Sequence, residues 1–397
     1  MIRLLLVPSS DFIGHPFPQR HNQIFERLND RKTFEVHVAR FRLFKDGNLK
    51  TRLRIHELSG SAGSGPAQYY LANILRHAHE VRKIVRDEKI DLVVLSNLAT
   101  PFAYLVMDHL WTMGIPTIFD LPDYYPTSAT GYMLDTSNGL GRSATAVLDL
   151  MLRYIVRRSS AITTVSKGLV HYARSHGARN VFLVRNGISE EFLKLQKSES
   201  LRESLGFTRD DFVVGYIGSV DFWLDVEELL DGMNMAKKAG LRAKGMFVGR
   251  GLHRQVYSRR LVKLIEQNGL QNDITRLGFI PYEDVPKYMA AIDVGTIPFD
   301  VTNPTSYYAA PNKMWEYLSQ MKPVVSTPIP EALDNRDFLL LASRGSEYAH
   351  HFLAVSSKEK EVCDKVSKGH AEACTRTWER STDDFAAVCE GVLRGCS

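Results

Sequence analysis

Short apolar runs alternate with longer segments of helical period along most of the chain, a pattern that predicts a doubly wound α/β protein. Ile2 to Val7 reads as an apolar first strand, and Phe34 to Arg40 alternates like a second. Gln68 to Glu88 carries apolar residues at helical spacing (Leu71, Ile74, Leu75, Ala78, Val81, Ile84, Val85). Asp91 to Ser96 is a continuous apolar run, as expected of a parallel strand covered on both faces. A helix from Pro101 to Met113, a turn at Gly114 and a strand from Pro116 to Phe119 continue the βαβ rhythm. A basic-ended helix, Ala144 to Arg158, follows. Asn186-Gly187 is a strong turn signal, after which the pattern begins again with strands Val213 to Ile217, Gly245 to Val248, Pro323 to Thr327 and Phe338 to Leu341. The chain therefore divides into an N-terminal Rossmann-like domain (1–190), a C-terminal Rossmann-like domain (191–375) and a terminal helix (376–397), with a linker at Ser189 to Ser200.

At 397 residues the chain is too long for a single core. No apolar run is long enough to span a bilayer, and MIRLLLVPSSDF breaks at Pro8 without a charged leader, so it reads as a strand. Cys363, Cys374, Cys389 and Cys396 all fall in the last 35 residues without metal-ligand spacing, which fits reduced thiols and a cytoplasmic location. Net charge is +5, but residues 1–190 carry 24 Lys and Arg against 16 Asp and Glu. Ten of those basic residues lie between Arg20 and Arg54, against four acidic ones. That balance suits an anionic surface or acceptor, or else a solvated face.

Candidate chemistry concentrates in Pro298 to Glu331, a polar loop followed by a helix opening near Pro311 and a buried strand. Asn312, Lys313 and Glu316 fall at the start of that helix, with Lys313 and Glu316 on one face. A helix N-terminus attracts phosphate; a lysine there adds a point charge, and a glutamate one turn on can accept from both hydroxyls of a ribose. A surface ion pair is the alternative. Gly218-Ser219 ends the strand Val213 to Ile217, where glycine lets backbone approach a phosphate, and Gly249-Arg250-Gly251 is a second glycine turn. Neither is a complete dinucleotide fingerprint. FDLPDYYP places Asp120 and Asp123 at the end of a strand, where catalytic carboxylates are found in open α/β sheets; capping a turn is the alternative for each.

APNKMWEYLSQMKPVVSTPIPE resembles the donor-binding signature of GT-B glycosyltransferases of family 4, and ITRLGFIPYEDVPKYMAAIDVGTIPF and TTVSKGL resemble two further segments of that family. The resemblance implies two Rossmann-like domains facing a cleft, with the terminal helix, containing Trp378, crossing back to the first domain. It implies that Lys313 contacts a donor diphosphate, Glu316 a ribose, and backbone around Gly278, Phe279 and Ile280 a nucleobase. It also turns the first loop toward the cleft, making Asp11, Gly14, His15 and Arg20 acceptor-side candidates, and places Asp123, or failing that Asp120, as general base or acceptor-orienting group. This sequence departs from the commonest pattern in two places. Tyr308 stands where many members have a second glutamate, as in teichuronic-acid and xanthan-type transferases, and Val220 to Asp225 lacks the usual Arg and Lys. Lys313, with Arg250 second, is then expected to supply the missing charge.

The function so implied is transfer of a sugar from a UDP- or GDP-linked donor to a glycan or lipid-linked acceptor. Retention at the sugar carbon is expected, with inversion through Asp123 open. No metal, other cofactor or nucleic acid is expected, and Arg40 to Arg54 is expected to touch the inner membrane face. A nucleotide-sugar epimerase and a non-catalytic nucleotide-sugar-binding protein are the alternatives.

Overall fold

A computed structural model describes every residue except 16–17, 44–48, 61–65, 97–99, 135–137, 250–254 and 396–397. The chain forms two compact units, Met1–Asn186 with Trp378–Ser397, and Gly187–Thr377.

The first unit runs β1 (Ile2–Val7), α1 (Arg20–Asn29), β2 (Phe34–Arg40), β3 (Arg54–Glu57), α2 (Pro66–Asp87), β4 (Leu92–Ser96), α3 (Thr100–Thr112), β5 (Thr117–Leu121), α4 (Tyr125–Met133), α5 (Gly139–Arg158), β6 (Ala161–Thr164), α6 (Lys167–Ser175) and β7 (Val181–Leu183). Its seven strands are parallel in the order β3-β2-β1-β4-β5-β6-β7. The apolar run read as a doubly covered strand is fully buried as β4. On one side of the sheet Leu4, Ile24, Phe25 and Val94 pack with Trp378, Phe385 and Cys389 of the last helix, Trp378–Gly395. The Phe25 and Phe385 rings meet edge to face at 5.1 Å.

The second unit continues with α7 (Glu190–Leu193), α8 (Glu199–Ser204), β8 (Phe212–Ile217), α9 (Glu227–Lys238), β9 (Ala243–Val248), α10 (Gln255–Gln267), β10 (Ile274–Leu277), α11 (Val285–Ala291), β11 (Val294–Ile297), α12 (Pro304–Tyr308), α13 (Asn312–Ser319), β12 (Val324–Ser326), α14 (Pro330–Asp334), β13 (Leu340–Leu341), α15 (Gly345–Ser356) and α16 (Lys360–Thr375). Its six parallel strands are ordered β10-β9-β8-β11-β12-β13, so strand order reverses between β8 and β11. Ligands of open α/β sheets bind beyond the strand ends at such a reversal.

Two boundaries differ from the sequence reading in ways that matter for chemistry. Pro311 is the cap and α13 begins at Asn312, so Asn312 and Lys313 are the first two helical residues. Strand β5 extends to Leu121, two residues past the expected end, which makes Asp120 part of the sheet.

The basic segment between Arg20 and Arg54 is largely neutralised. Arg40 pairs with Asp11 and Glu57, Arg42 with Glu57, Arg52 with Asp30, Arg54 with Glu88, and Arg31 with Glu379 and Asp383. Carboxylates from within the unit therefore pair much of this stretch, although Arg42, Arg52 and Arg54 keep more than half of their side-chain surface exposed; Lys45 lies outside the described residues. Among the described residues no helix is long and apolar enough to cross a membrane.

Candidate functional site

In the second unit the polar groups gather at the carboxyl ends of β8, β9 and β11. Strand β8 turns at Gly218, whose φ of 148° favours glycine and whose N–H donates to Val248 O (2.8 Å). Gly249, with φ 126°, ends β9 directly against the Gly218 carbonyl, so a side chain at Gly249 would displace the Gly218 turn. The Lys313 side chain reaches over from the first turn of α13. Its Nζ donates to Tyr216 Oη at 3.2 Å, stands 4.3 Å above the Tyr216 ring and 5.5 Å from Phe299, and fills the space where a Cβ at Gly218 would lie. Burial lowers the Lys313 pKa to about 8, against the opposing pull of Glu316.

Glu316 is one turn further along α13, and Tyr282 Oη donates to its Oε1 at 3.3 Å. Burial raises the Glu316 pKa to about 7, with Lys313 and Tyr282 opposing. Among the described residues neither group forms an ion pair with an opposite charge, although each feels the other electrostatically. The structure thus brings together Gly218, Ser219, Lys313 and Glu316, with Asn312 exposed at the helix start. Phe279 is exposed and Ile280 packs on the core, both in the segment that leads to Tyr282. Arg250 lies outside the described residues. Tyr216, Tyr282 and Phe299 were missed by sequence reasoning. Tyr216 carries the polar tip of an otherwise apolar strand, two residues before the glycine turn, and that was the available signal.

The first unit separates its two candidate carboxylates. Asp120 is buried, and the Arg20 guanidinium grips it through both oxygens at 3.1 Å. Thr163 Oγ1 also donates to it (2.7 Å), and His21 stands 3.7 Å away. Burial alone would raise its pKa, but Arg20 and His21 outweigh burial and hold it well below the ordinary carboxylate range. A carboxylate so satisfied is a poor proton acceptor, and the expectation of Asp120 as an alternative base is corrected: it is a buried anchor between α1 and β5. Arg20 is corrected with it. It spends its donors on Asp120, Asn186 Oδ1 (2.8 Å) and Arg185 O, and is buried.

Asp123 differs. It lies in the turn between β5 and α4, partly exposed, and accepts from Ser128 Oγ at 3.1 Å. Burial raises its pKa to about 6, with the Ser128 and Tyr124 amide hydrogen bonds opposing. Its neighbour Tyr124 is pinned through its hydroxyl to Asp149 on α5 (2.8 Å), which also accepts from Tyr172 (2.6 Å). That cluster fixes the turn carrying Asp123. Gly14 donates its amide to Asp11 (2.9 Å), which Arg40 also grips, so Asp11 shapes the loop after β1. His15 meets Gln19, which in turn accepts from Ser10. Among the described residues no three His, Cys, Asp or Glu side chains are grouped to hold a metal ion.

Two parallel α/β units with their polar clusters at the carboxyl ends of the strands define the GT-B class of fold. Family models agree: one described as a glycosyl transferase 4-like domain matches residues 26–187, and one for glycosyl transferases group 1 matches residues 211–357. The chain belongs to the GT-B, family 4-like glycosyltransferases. Among individual proteins, TuaH of Bacillus subtilis (strain 168), named as a glycosyltransferase of teichuronic acid biosynthesis, is 27% identical over 220 residues. That alignment covers 54% of this chain and 50% of TuaH, and so spans only half of that relative. HepE from Anabaena in complex with UDP-glucose superposes with a TM-score of 0.73 at 18% identity, covering 98% of this chain and all of the other. Sucrose-phosphate synthase from Thermosynechococcus elongatus gives 0.77 at 12% identity, covering 99% of this chain and all of the other. At these identities the structural likenesses speak for the fold.

Proposed function

We propose that this protein transfers a sugar from a nucleotide-diphosphate donor to a glycan or lipid-linked acceptor. The observation that carries the reading is the Lys313 ammonium held at the Gly218 turn without a carboxylate partner, one helical turn from a carboxylate whose ionisation falls near neutrality. Nucleoside-diphosphate departure builds negative charge, and a preorganised cation with the N-terminal dipole of α13 stabilises it. Lys313 thereby takes the part a divalent metal plays elsewhere, and the proposal is of a metal-independent reaction. Glu316 would accept from the ribose hydroxyls, and backbone near Phe279 and Ile280 would face the base. The HepE complexes hold UDP or UDP-glucose, which favours a uridine donor over a guanosine one.

Retention at the sugar carbon is the family expectation. A second reading, inversion with Asp123 as base, draws on a specific observation: a partly exposed carboxyl at a strand end with a pKa of about 6 is suited to take a proton from an acceptor hydroxyl near neutral pH. The epimerase and non-catalytic alternatives gain nothing from these features. The test is a thermal-shift panel of UDP, GDP and their sugars, followed by a nucleoside-diphosphate release assay with and without glycan acceptors. A raised midpoint with one nucleotide series and acceptor-dependent release is expected. No midpoint shift with any nucleotide would sink the proposal.

A further inference from the structure

The donor reading gives Lys313 a task but does not say why its charge remains available. A lysine in a partly buried setting commonly finds a carboxylate, which consumes the charge a ligand would need. Here the seat is made of neutral groups. Tyr216 is fully buried, and its hydroxyl proton is committed to Ser219 O at 2.6 Å. Its oxygen therefore presents a lone pair to Lys313 Nζ at 3.2 Å. The ring face below the ammonium, at 4.3 Å, attracts a cation through its quadrupole, and Phe299 adds a second ring at 5.5 Å. Gly218 supplies the vacant volume on the other side. An ammonium has three donors, and Tyr216 takes one, leaving two for phosphate oxygens.

We propose that Tyr216 is the positioning residue for Lys313, seating its ammonium over the Gly218 turn by one phenol oxygen and one ring face so that the cation is aimed without being neutralised. The proposal rests on the reading of Lys313 as the diphosphate-binding cation. It joins three features that are otherwise unrelated in the sequence: a polar tip in an apolar strand, a glycine with φ near 150° and a lysine nearly a hundred residues later.

Tyr216→Phe keeps the ring and removes the oxygen. Its Kd for UDP (or GDP, whichever the wild type binds) should rise roughly 5- to 20-fold, while the Kd for the matching nucleoside, which lacks phosphate, stays unchanged. In 13C-lysine-labelled protein the Lys313 Cε resonance, identified by its loss in Lys313→Ala, should titrate at lower pH in Tyr216→Phe, because the cation has lost an acceptor. A residue serving only to fill the core would move neither the phosphate-specific affinity nor that midpoint. Gly218→Ala attacks the seat from the opposite side and should reproduce the phosphate-specific loss. An unchanged diphosphate Kd and an unchanged Lys313 midpoint in a folded Tyr216→Phe protein overturn the proposal. If wild type binds no nucleotide yet the midpoint still moves, the donor reading falls and the seat stands.

Discussion

Each unit sets a cation and a carboxylate near the carboxyl ends of its strands, buried in the first and partly buried in the second, and the two arrangements are opposites. In the first, Arg20 and Asp120 close on each other through two hydrogen bonds, and Thr163 adds a third to the carboxylate. The pairing drives the Asp120 pKa away from neutrality and fixes the ionised form. In the second, Lys313 and Glu316 share a helix face yet form no ion pair, and burial drives both toward neutrality, to about 8 and about 7. A buried charge that finds its partner inside the protein serves the fold. One held on neutral groups, without that partner, is poised for a ligand.

The sharpest way to break this comparison is to remove one member of the closed pair. Asp120→Asn keeps the shape but leaves the Arg20 guanidinium buried and uncompensated, and should lower stability by about 3–5 kcal/mol in denaturant unfolding at pH 7. Because the folded-state pKa of Asp120 is depressed, its contribution is present above the unfolded value of roughly 4 and is lost as pH falls toward the folded one. The gap between wild type and variant should narrow in acid. A stable Asp120→Asn protein that had lost turnover alone would reverse the assignment of the two carboxylates. Asp123→Asn, three residues away, is expected to do the converse: kcat lower by at least ~100-fold if Asp123 is the base, with donor Kd and unfolding midpoint close to wild type. Wild-type kcat should then rise with pH through about 6 as Asp123 ionises.

Lys313→Ala probes the open pair. Loss of charge-assisted hydrogen bonds to a diphosphate should weaken UDP binding by roughly 1.5–3 kcal/mol, measured by calorimetry. Folding should not suffer. A lysine whose folded pKa is depressed binds fewer protons when folded than when unfolded, so its charged form opposes folding at neutral pH. A thermal midpoint unchanged or raised is expected, against the large fall for Asp120→Asn. A fall of equal size would mean that both pairs are structural.

The open pair was legible in the sequence because its parts are local: a proline, a lysine and a glutamate within six residues, at a helix start that the pattern of the flanking elements fixes. The closed pair was not. Arg20 and Asp120 are a hundred residues apart, and an error of two residues in the end of β5 turned a sheet residue into an apparent loop residue. The same limit hid the pairing of the basic segment, whose countercharges Glu57, Glu88 and Glu379 come from a neighbouring strand, the turn after α2 and the far end of the chain. Tyr216 was hidden for a different reason. Its ring satisfies the apolar pattern of β8, so only the position of its hydroxyl distinguishes it from a core residue. The alternation of strands and helices survives such errors because it depends on many residues at once.

The finest test of the contrast is pH. Donor binding by the open pair needs Glu316 ionised, to accept from ribose hydroxyls, and Lys313 protonated, to hold phosphate. With apparent pKa values of about 7 and about 8, affinity should be greatest between them and fall on both sides, to roughly a sixth of the optimum one pH unit beyond the midpoint on each limb. The direction of proton exchange distinguishes the limbs. At pH 9 the free site holds mostly neutral lysine and must take up a proton as diphosphate binds. At pH 6 it holds mostly protonated glutamate and must release one. Calorimetry of UDP binding in buffers of different ionisation enthalpy reads both signs, and Asp120, whose pKa is held well below this range, contributes to neither. A Kd that stays flat from pH 6 to 9 with no proton exchanged would show the second pair to be as closed as the first, through contacts that bind its charges within the fold.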